Sequence, residues 1–345
     1  MKENMMWAML LHLGSNMWSK QGERERFAQD TLPYHETMHC DRQVWREITE
    51  YLPSRGINTL LINIGEGVKL DSHPEIAVPG AWTKAELKEE LSRLREMGIT
   101  PLPKFNFSCA HNAWMKDYGF AVNTPEYHAF CRDIIEETIE LFDKPAFFHL
   151  GLNDENAANQ EYFPVTVVRN PKVFIEDANV LFKACLDNGV RPWIWVDTTV
   201  IDSFGGMDSF FDNVPKSVLL SNLYMGNVSS KYPSVSAEEQ RKSLIHMPPA
   251  AIYRNREKTL LLNAIDEHGY EHIPAGSSSL ISNNIQQTMT YCKETIRNKD
   301  NILGFVSVPL LLTDSDNIYG LMFDADMFKA GKDLLLGNGR KVRSF

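Results

Sequence analysis

The segment Phe147-Phe148-His149-Leu150-Gly151-Leu152-Asn153-Asp154-Glu155 runs from an apolar stretch straight into an amide and two carboxylates. Two such carboxyl groups are what acid/base cleavage of a glycosidic bond requires. One holds a proton for the leaving oxygen, and the other stabilises the positive charge that develops on the sugar. Neighbours on an extended strand point to opposite faces, so Asp154 and Glu155 can address one substrate only if the strand ends before them. A polar turn is the alternative reading of the same residues.

Other apolar runs end in the same way. Trp195 and Asp197 close one, Asn222 and Tyr224 another, and Asp266, Glu267 and His268 a third. Asn63 and Glu66 follow an earlier run, and Lys104, Asn106, His111 and Trp114 the next. Aromatic rings among Asp, Glu and Asn suit sugars, which have apolar ring faces and hydroxyl rims. Each residue alone is more often structural; their recurrence after successive apolar runs is the signal. Lys104 alternates with Pro103 and Phe105, so it faces either the interior or its rim. An inward lysine needs a carboxylate partner, which Glu66 or Asp154 would supply; a lysine that snorkels to solvent needs none.

Residues His35-Glu36-Thr37-Met38-His39 match HExxH, which names a zinc-dependent hydrolase. That chemistry needs both histidines on one face of a stable helix and a further ligand beyond. Here the motif follows Pro33 and lacks a continuous apolar face, so a chance match in a long loop is expected. No metal or other cofactor is expected.

The elements that must position these groups alternate. Short apolar runs at 5–13, 57–64, 99–105, 145–151, 191–196, 217–222, 259–265 and 302–308 read as strands. Amphipathic stretches near 41–54, 83–97, 124–142, 171–188, 203–212, 236–245, 280–298 and 322–336 read as helices. Thr83 with Glu86 forms a capping box and Thr124 precedes Pro125, while Gly56, Gly98 and Gly189 sit just past helix ends. Eight strand–helix units predict an α/β fold, a single (β/α)8 TIM barrel spanning residues 1–345 as one domain. The first strand is followed by LGSNMW, not by the glycine-rich loop of a dinucleotide fold. The long connections (14–40, 65–82, 106–123, 152–170 and 223–235) all follow strands, so the function is expected at the C-terminal mouth.

The composition narrows the partners. A net charge of −10 and the absence of basic runs argue against a nucleic-acid partner. No apolar stretch approaches the roughly 18 residues needed to span a bilayer. The opening MKENMMWAMLLHLG reads as a buried strand, not as a signal peptide. Five scattered cysteines fit free thiols in a reducing compartment. A cytoplasmic location follows, unless a leader was removed upstream and the protein is periplasmic or secreted. The expected partner is a carbohydrate; the oligomeric state is not legible.

The chain resembles the family 20 glycoside hydrolases, the β-N-acetylhexosaminidases, best over residues 57–200. His149 through Glu155 looks like the family's His-Ile-Gly-Gly-Asp-Glu, and Pro103 through His111 with Trp114 looks like its segment from Pro-Glu to Gly-His. The resemblance implies a barrel and a substrate-assisted retaining mechanism. In it an Asp orients the 2-acetamido group and the adjacent Glu protonates the leaving oxygen. Aligned without a gap, Asn153 takes the place of the Asp and Asp154 that of the Glu; a shift of one residue restores the pair as Asp154 and Glu155. Lys104 and Asn106 also stand where acidic residues are usual. The reading is a retaining, exo-acting, hexosaminidase-like glycosidase. Asp154 and Glu155 are catalytic, and Asn153, Asn106, His111, Trp114, Trp195, Asp197, Tyr224, Asp266 and Glu267 hold the sugar. A catalytically silent carbohydrate-binding barrel, favoured by Asn153, is the alternative.

Overall fold

The computed structural model describes residues 5–18, 32, 34–160, 163, 165–223, 228 and 259–337. Its strands are β1 (Met6–His12), β2 (Thr59–Asn63), β5 (Thr100–Lys104), β6 (Phe147–Gly151), β7 (Arg191–Val196), β8 (Leu219–Asn222), β9 (Ala275–Gly276) and β10 (Gly304–Ser307). These eight lie in one sheet in the order β8-β7-β6-β5-β2-β1-β10-β9, with every pairing parallel. Leu220 of β8 pairs with His272, just before β9, and the Ile273 N–H donates to the Leu220 carbonyl at 2.8 Å. The sheet therefore closes on itself as a (β/α)8 barrel. Two short strands, β3 (Val68–Lys69) and β4 (Trp82–Thr83), make a separate ribbon in the loop after β2.

Helices α1 (Arg42–Tyr51), α2 (Lys84–Glu96), α3 (Pro125–Leu141), α4 (Pro171–Asp187), α5 (Thr198–Ser203), α6 (Met207–Asn213), α7 (259–267), α8 (Asn284–Thr295) and α9 (Ile318–Leu336) surround the sheet. Their ends follow local chemistry. Thr83 and Glu86 exchange both capping-box hydrogen bonds, and Thr124 caps α3 with Pro125 in its first turn. Gly56, Gly98 and Gly189 take the left-handed backbone expected of them. The helix expected over 203–212 is split by Gly205 and Gly206, both at positive φ, into α5 and α6. The helix expected over 236–245 lies outside the described residues.

One expected strand is a helix. Residues 259–265 belong to α7, where Leu261, Leu262 and Ile265 are buried at helical spacing, and the seventh strand is the shorter 272–276 region ending in β9. Asp266 and Glu267 thus finish a helix that leads into a strand, at the end of the barrel opposite the mouth. The Asp266 carboxylate accepts from the Arg297 and Asn298 N–H groups at 3.1 and 3.3 Å, and Glu267 is exposed. Their assignment to the sugar site falls with the strand.

Period-two alternation sorts each strand between two cores. Ala8, Leu10, Leu61, Leu102, Trp193, Trp195, Leu219, Ile273, Ala275, Val306 and Val308 pack inside the barrel. The intervening positions, with Met9, Leu60, Ile62, Ile194 and Phe305 among them, pack outward against the helices. Among the described residues no helix is long and apolar enough to cross a membrane.

Candidate active site at the barrel mouth

Strand β6 ends in a bulge: its register to β7 slips between His149 and Gly151. Gly151 then adopts φ 72°, and Leu152 and Asp154 follow at 73° and 66°. A left-handed backbone at non-glycine residues costs of the order of 1–3 kcal/mol each and persists only where neighbours hold it. Here they do. The Leu152 N–H donates to Asn106 Oδ1 at 3.0 Å, and the Asp154 N–H to Thr199 Oγ1 at 2.9 Å. The strand has ended before the acidic residues, so the alternation of a strand no longer applies to them.

Asn106 is the hub of the site. Its Oδ1 accepts from Leu152 N–H and Ser108 N–H, which fixes the amide orientation. Its Nδ2 donates to Asn153 Oδ1 at 2.9 Å and to His111 Nδ1 at 2.5 Å. Asn153 Nδ2 in turn donates to Asp154 Oδ2 at 2.5 Å. Because His111 Nδ1 is an acceptor, the neutral ring carries its proton on Nε2, 3.8 Å from Asp154 Oδ2. Burial and the charge of Lys104 hold the His111 imidazole down at about 3, so the ring is neutral at ordinary pH. Asn106, Asn153, Asp154 and His111 thus form one open polar ring, whose His111 Nε2–Asp154 Oδ2 side, at 3.8 Å, is too long for a hydrogen bond. Within it Asp154, with its side chain 34% exposed, is the carboxylate that reaches solvent.

Asp197 supports this ring from β7. Its Oδ1 accepts from Thr199 Oγ1 at 2.6 Å and caps α5 through Val200 N–H at 2.9 Å, and the same Thr199 hydroxyl receives the Asp154 N–H. Burial raises the Asp197 carboxyl despite these hydrogen bonds. Asp197 is a second carboxylate at the mouth, joined to the first through one hydroxyl.

Glu155 goes elsewhere. Arg169 grips it through Nε–Oε1 at 2.8 Å and Nη2–Oε2 at 2.5 Å, and the Cys109 N–H donates to Oε2 at 2.9 Å. Arg169 Nη1 also reaches Asp177, whose other oxygen meets His128 Nε2 at 2.7 Å. Burial alone would raise the Glu155 carboxyl, but the Arg169 charge and these donors outweigh it and hold it below its ordinary value. A general acid must carry a proton at working pH; Glu155 is kept ionised and wholly buried. The geometry therefore does not fit Glu155 to the role of general acid, and Asp154 is the residue of the two that faces the mouth.

Beneath the ring lies a polar row inside the barrel. His12, Asn63, Lys104 and His149 are successive register partners on β1, β2, β5 and β6. Each comes two positions after an inward apolar residue, so all four cap the interior core. Lys104 Nζ donates to Asn63 Oδ1 at 2.9 Å, and Asn63 Nδ2 donates to the Gly14 carbonyl at 2.7 Å. Among the described residues neither expected carboxylate pairs with Lys104: Glu66 accepts from the Ser15 and Asn16 N–H groups, and Asp154 from Asn153 Nδ2. Burial alone brings Lys104 down to about 7.

Trp114 and Trp195, expected against the sugar, are core residues. Trp114 donates to the Asn106 carbonyl at 2.9 Å and packs between Phe105, Phe107 and Phe130. Trp195 packs inside the barrel against the His149 ring, centroids 4.1 Å apart. Asn222 donates to the Val196 carbonyl, and Tyr224 lies outside the described residues. His35 and His39 stack face to face at 3.7 Å in a segment that is not helical, so the helix that sets the zinc-protease geometry is missing. Among the described residues no group of three or more His, Cys, Asp or Glu is placed to hold a metal. Thr199, Arg169 and His12 were not singled out from the sequence; His12 alone carried a signal, two positions beyond Leu10 in the β1 alternation.

No family model and no curated protein sequence matches the chain. Solved structures do match it. A family 20 exo-β-N-acetylglucosaminidase from Vibrio harveyi, in complex with N-acetylglucosamine, aligns with TM-score 0.57 at 12% identity, over 98% of this chain and 59% of that one. The chain shares its barrel with the family 20 glycoside hydrolases. Dispersin B aligns with TM-score 0.54 at 13% identity, over 85% of this chain and 95% of its own. A family 138 glycoside hydrolase described as targeting pectin rhamnogalacturonan II aligns with TM-score 0.55 at 11% identity, over 97% of this chain and 48% of its own. The chain thus spans less than two thirds of the Vibrio and family 138 enzymes, and at these identities the likeness is one of fold.

Proposed function

We propose that the protein is a retaining, exo-acting glycoside hydrolase, hexosaminidase-like in layout, with Asp154 as its general acid/base. The observation that carries this is the ring of Asn106, Asn153, Asp154 and His111 at the C-terminal mouth, where barrel enzymes of this architecture do their chemistry. Asp154 protonates the departing glycosidic oxygen. The Asn153 N–H then stabilises the carboxylate that results, and the neutral His111 N–H faces the same oxygen. Asp197 is the second carboxylate of the mouth, available to the positive charge that forms on the sugar. The barrels it resembles include an enzyme seen with N-acetylglucosamine, which supports a sugar in this mouth.

A panel of aryl glycosides, with the N-acetylglucosaminide and the hexuronides among them, tests the reading: at least one is cleaved, with retention of configuration. One observation favours a second reading, a silent carbohydrate-binding barrel. Asn153 stands where the resembling family has its orienting Asp, and an amide cannot carry that charge. On this second reading no glycoside is cleaved while sugars still raise the melting temperature.

A further inference from the structure

The polar row below Asp154 has a chemical bias. Lys104 is buried to 2% exposure, yet among the described residues only one of its three N–H donors is partnered, by an amide oxygen. No carboxylate among the described residues pairs with it. His149, wholly buried beside it on β6, accepts the Gly151 N–H at its Nδ1 at 3.0 Å, so its ring proton is on Nε2, which has no partner among the described residues. His111 repeats the pattern, with Nδ1 engaged by Asn106 and Nε2 beyond hydrogen-bond range of any acceptor among the described residues. Buried donors are ordinarily satisfied, and a buried ammonium without a counter-charge costs several kcal/mol. Among the described residues none of these three groups has a carboxylate within hydrogen-bond range; Asp154 Oδ2, facing His111 Nε2, stands 3.8 Å away. The three groups call for a ligand rich in acceptor oxygen and negatively charged.

We propose that Lys104, with the Nε2–H groups of His149 and His111, forms a carboxylate subsite in the floor of the mouth, so that the sugar bound there is acidic, as a hexuronic acid is. This rests on the carbohydrate reading of the site and adds the class of sugar to it. A sugar carboxylate above Lys104 gives the ammonium its missing counter-charge and accepts from both imidazoles. Neutral hexoses and N-acetylhexosamines leave the ammonium unpaired, which a desolvated site penalises. Burial alone already lowers Lys104 to about 7, and a bound anion restores its charged form.

Titration calorimetry on the full chain decides the matter, using glucuronate and galacturonate, their neutral parents glucose and galactose, N-acetylglucosamine, and acetate alone. The hexuronates are expected to bind at least tenfold more tightly than their neutral parents and than acetate. In Lys104→Met that preference shrinks to within twofold; His149→Gln, a milder change, reduces it should the methionine variant fail to fold. Equal or tighter binding of the neutral sugars, or a preference untouched in folded Lys104→Met, overturns the acidic-sugar inference and leaves the carbohydrate reading standing. Acetate binding as tightly as hexuronate overturns the sugar-carboxylate assignment in favour of a bare anion site. No binding or turnover of any sugar overturns both readings together.

Discussion

Arg169 holds Glu155 through two parallel hydrogen bonds, at 2.8 and 2.5 Å, with both side chains about 1% exposed. The pair anchors the loop after β6 to the loop after β5, because Glu155 also accepts the Cys109 N–H and Arg169 Nη2 donates to the Phe107 carbonyl. It thereby fixes where Asp154 emerges, one residue earlier, without facing the mouth itself.

Removing Glu155 leaves Arg169 buried with Asp177 as its remaining carboxylate, and strips the partner from two guanidinium donors and the Cys109 N–H. Glu155→Ala is expected to cost about 1–3 kcal/mol of stability from the buried donors it leaves unsatisfied, and Glu155→Gln, which keeps an acceptor there, to cost less. Urea unfolding of the two proteins measures the difference. A loss below about 1 kcal/mol for Glu155→Ala would contradict the role given to the pair.

Acid sensitivity has a source at Glu137, which accepts from the Asp71 and Ser72 N–H groups at 2.8 Å each and pairs with Lys84 at 2.7 Å. Burial pushes its carboxyl up, but these donors bring it down to about 2. A carboxyl lowered by folding contributes stability above its unfolded value of about 4.3 and loses it as the pH falls towards the folded value. Glu137→Gln is therefore expected to flatten the decline in melting temperature between about pH 4.3 and pH 2. An unchanged acid limb would show that these contacts are not held in solution.

Thr199 couples the two mouth carboxylates through a single hydroxyl, accepting from Asp154 N–H and donating to Asp197. Thr199→Val keeps the shape and removes both hydrogen bonds. Stability is expected to fall by roughly 1–2 kcal/mol, and kcat by about tenfold with KM changed less, since Asp154 loses its alignment. Rescue by Thr199→Ser would mark the hydroxyl as the working part.

Gly151 is required by space as well as by backbone. A Cβ there would stand 2.2 Å from Asn106 Oδ1 and 2.7 Å from its Cα, at a φ of 72°. Gly151→Ala is expected to cost about 2–5 kcal/mol from strain and overpacking, and to abolish turnover by displacing Asn106. Thermal denaturation and an activity assay on the folded fraction check both halves.

The legible parts of this molecule were those written in local pattern. Capping at Thr83 and Thr124, glycines at helix ends and period-two apolar runs located seven of the eight barrel strands. The seventh escaped because His272-Ile273-Pro274-Ala275-Gly276 is short, small and interrupted by proline, whereas the neighbouring Leu-rich run has the composition of a strand and the burial spacing of a helix. The mouth was legible as a set of strand ends, since Asn106, His111, Asn153 and Asp154 do meet there. Glu155 could not be separated from Asp154 by sequence. Its partner Arg169 lies 14 residues on in a loop with no motif of its own. Trp114 and Trp195 misled for a related reason: an indole suits a sugar platform and a barrel core equally, and only packing tells them apart.

The central claim is that Asp154, not Glu155, does the acid/base work, and one comparison tests it most directly. On whichever aryl glycoside is cleaved, kcat/KM of Asp154→Asn and Glu155→Gln is measured below the melting temperature of each. The account predicts a fall of about 10²-fold or more for Asp154→Asn with its melting temperature near wild type, while Glu155→Gln melts lower and retains most of its turnover when folded. Full activity in Asp154→Asn, or a folded Glu155→Gln without activity, would contradict it.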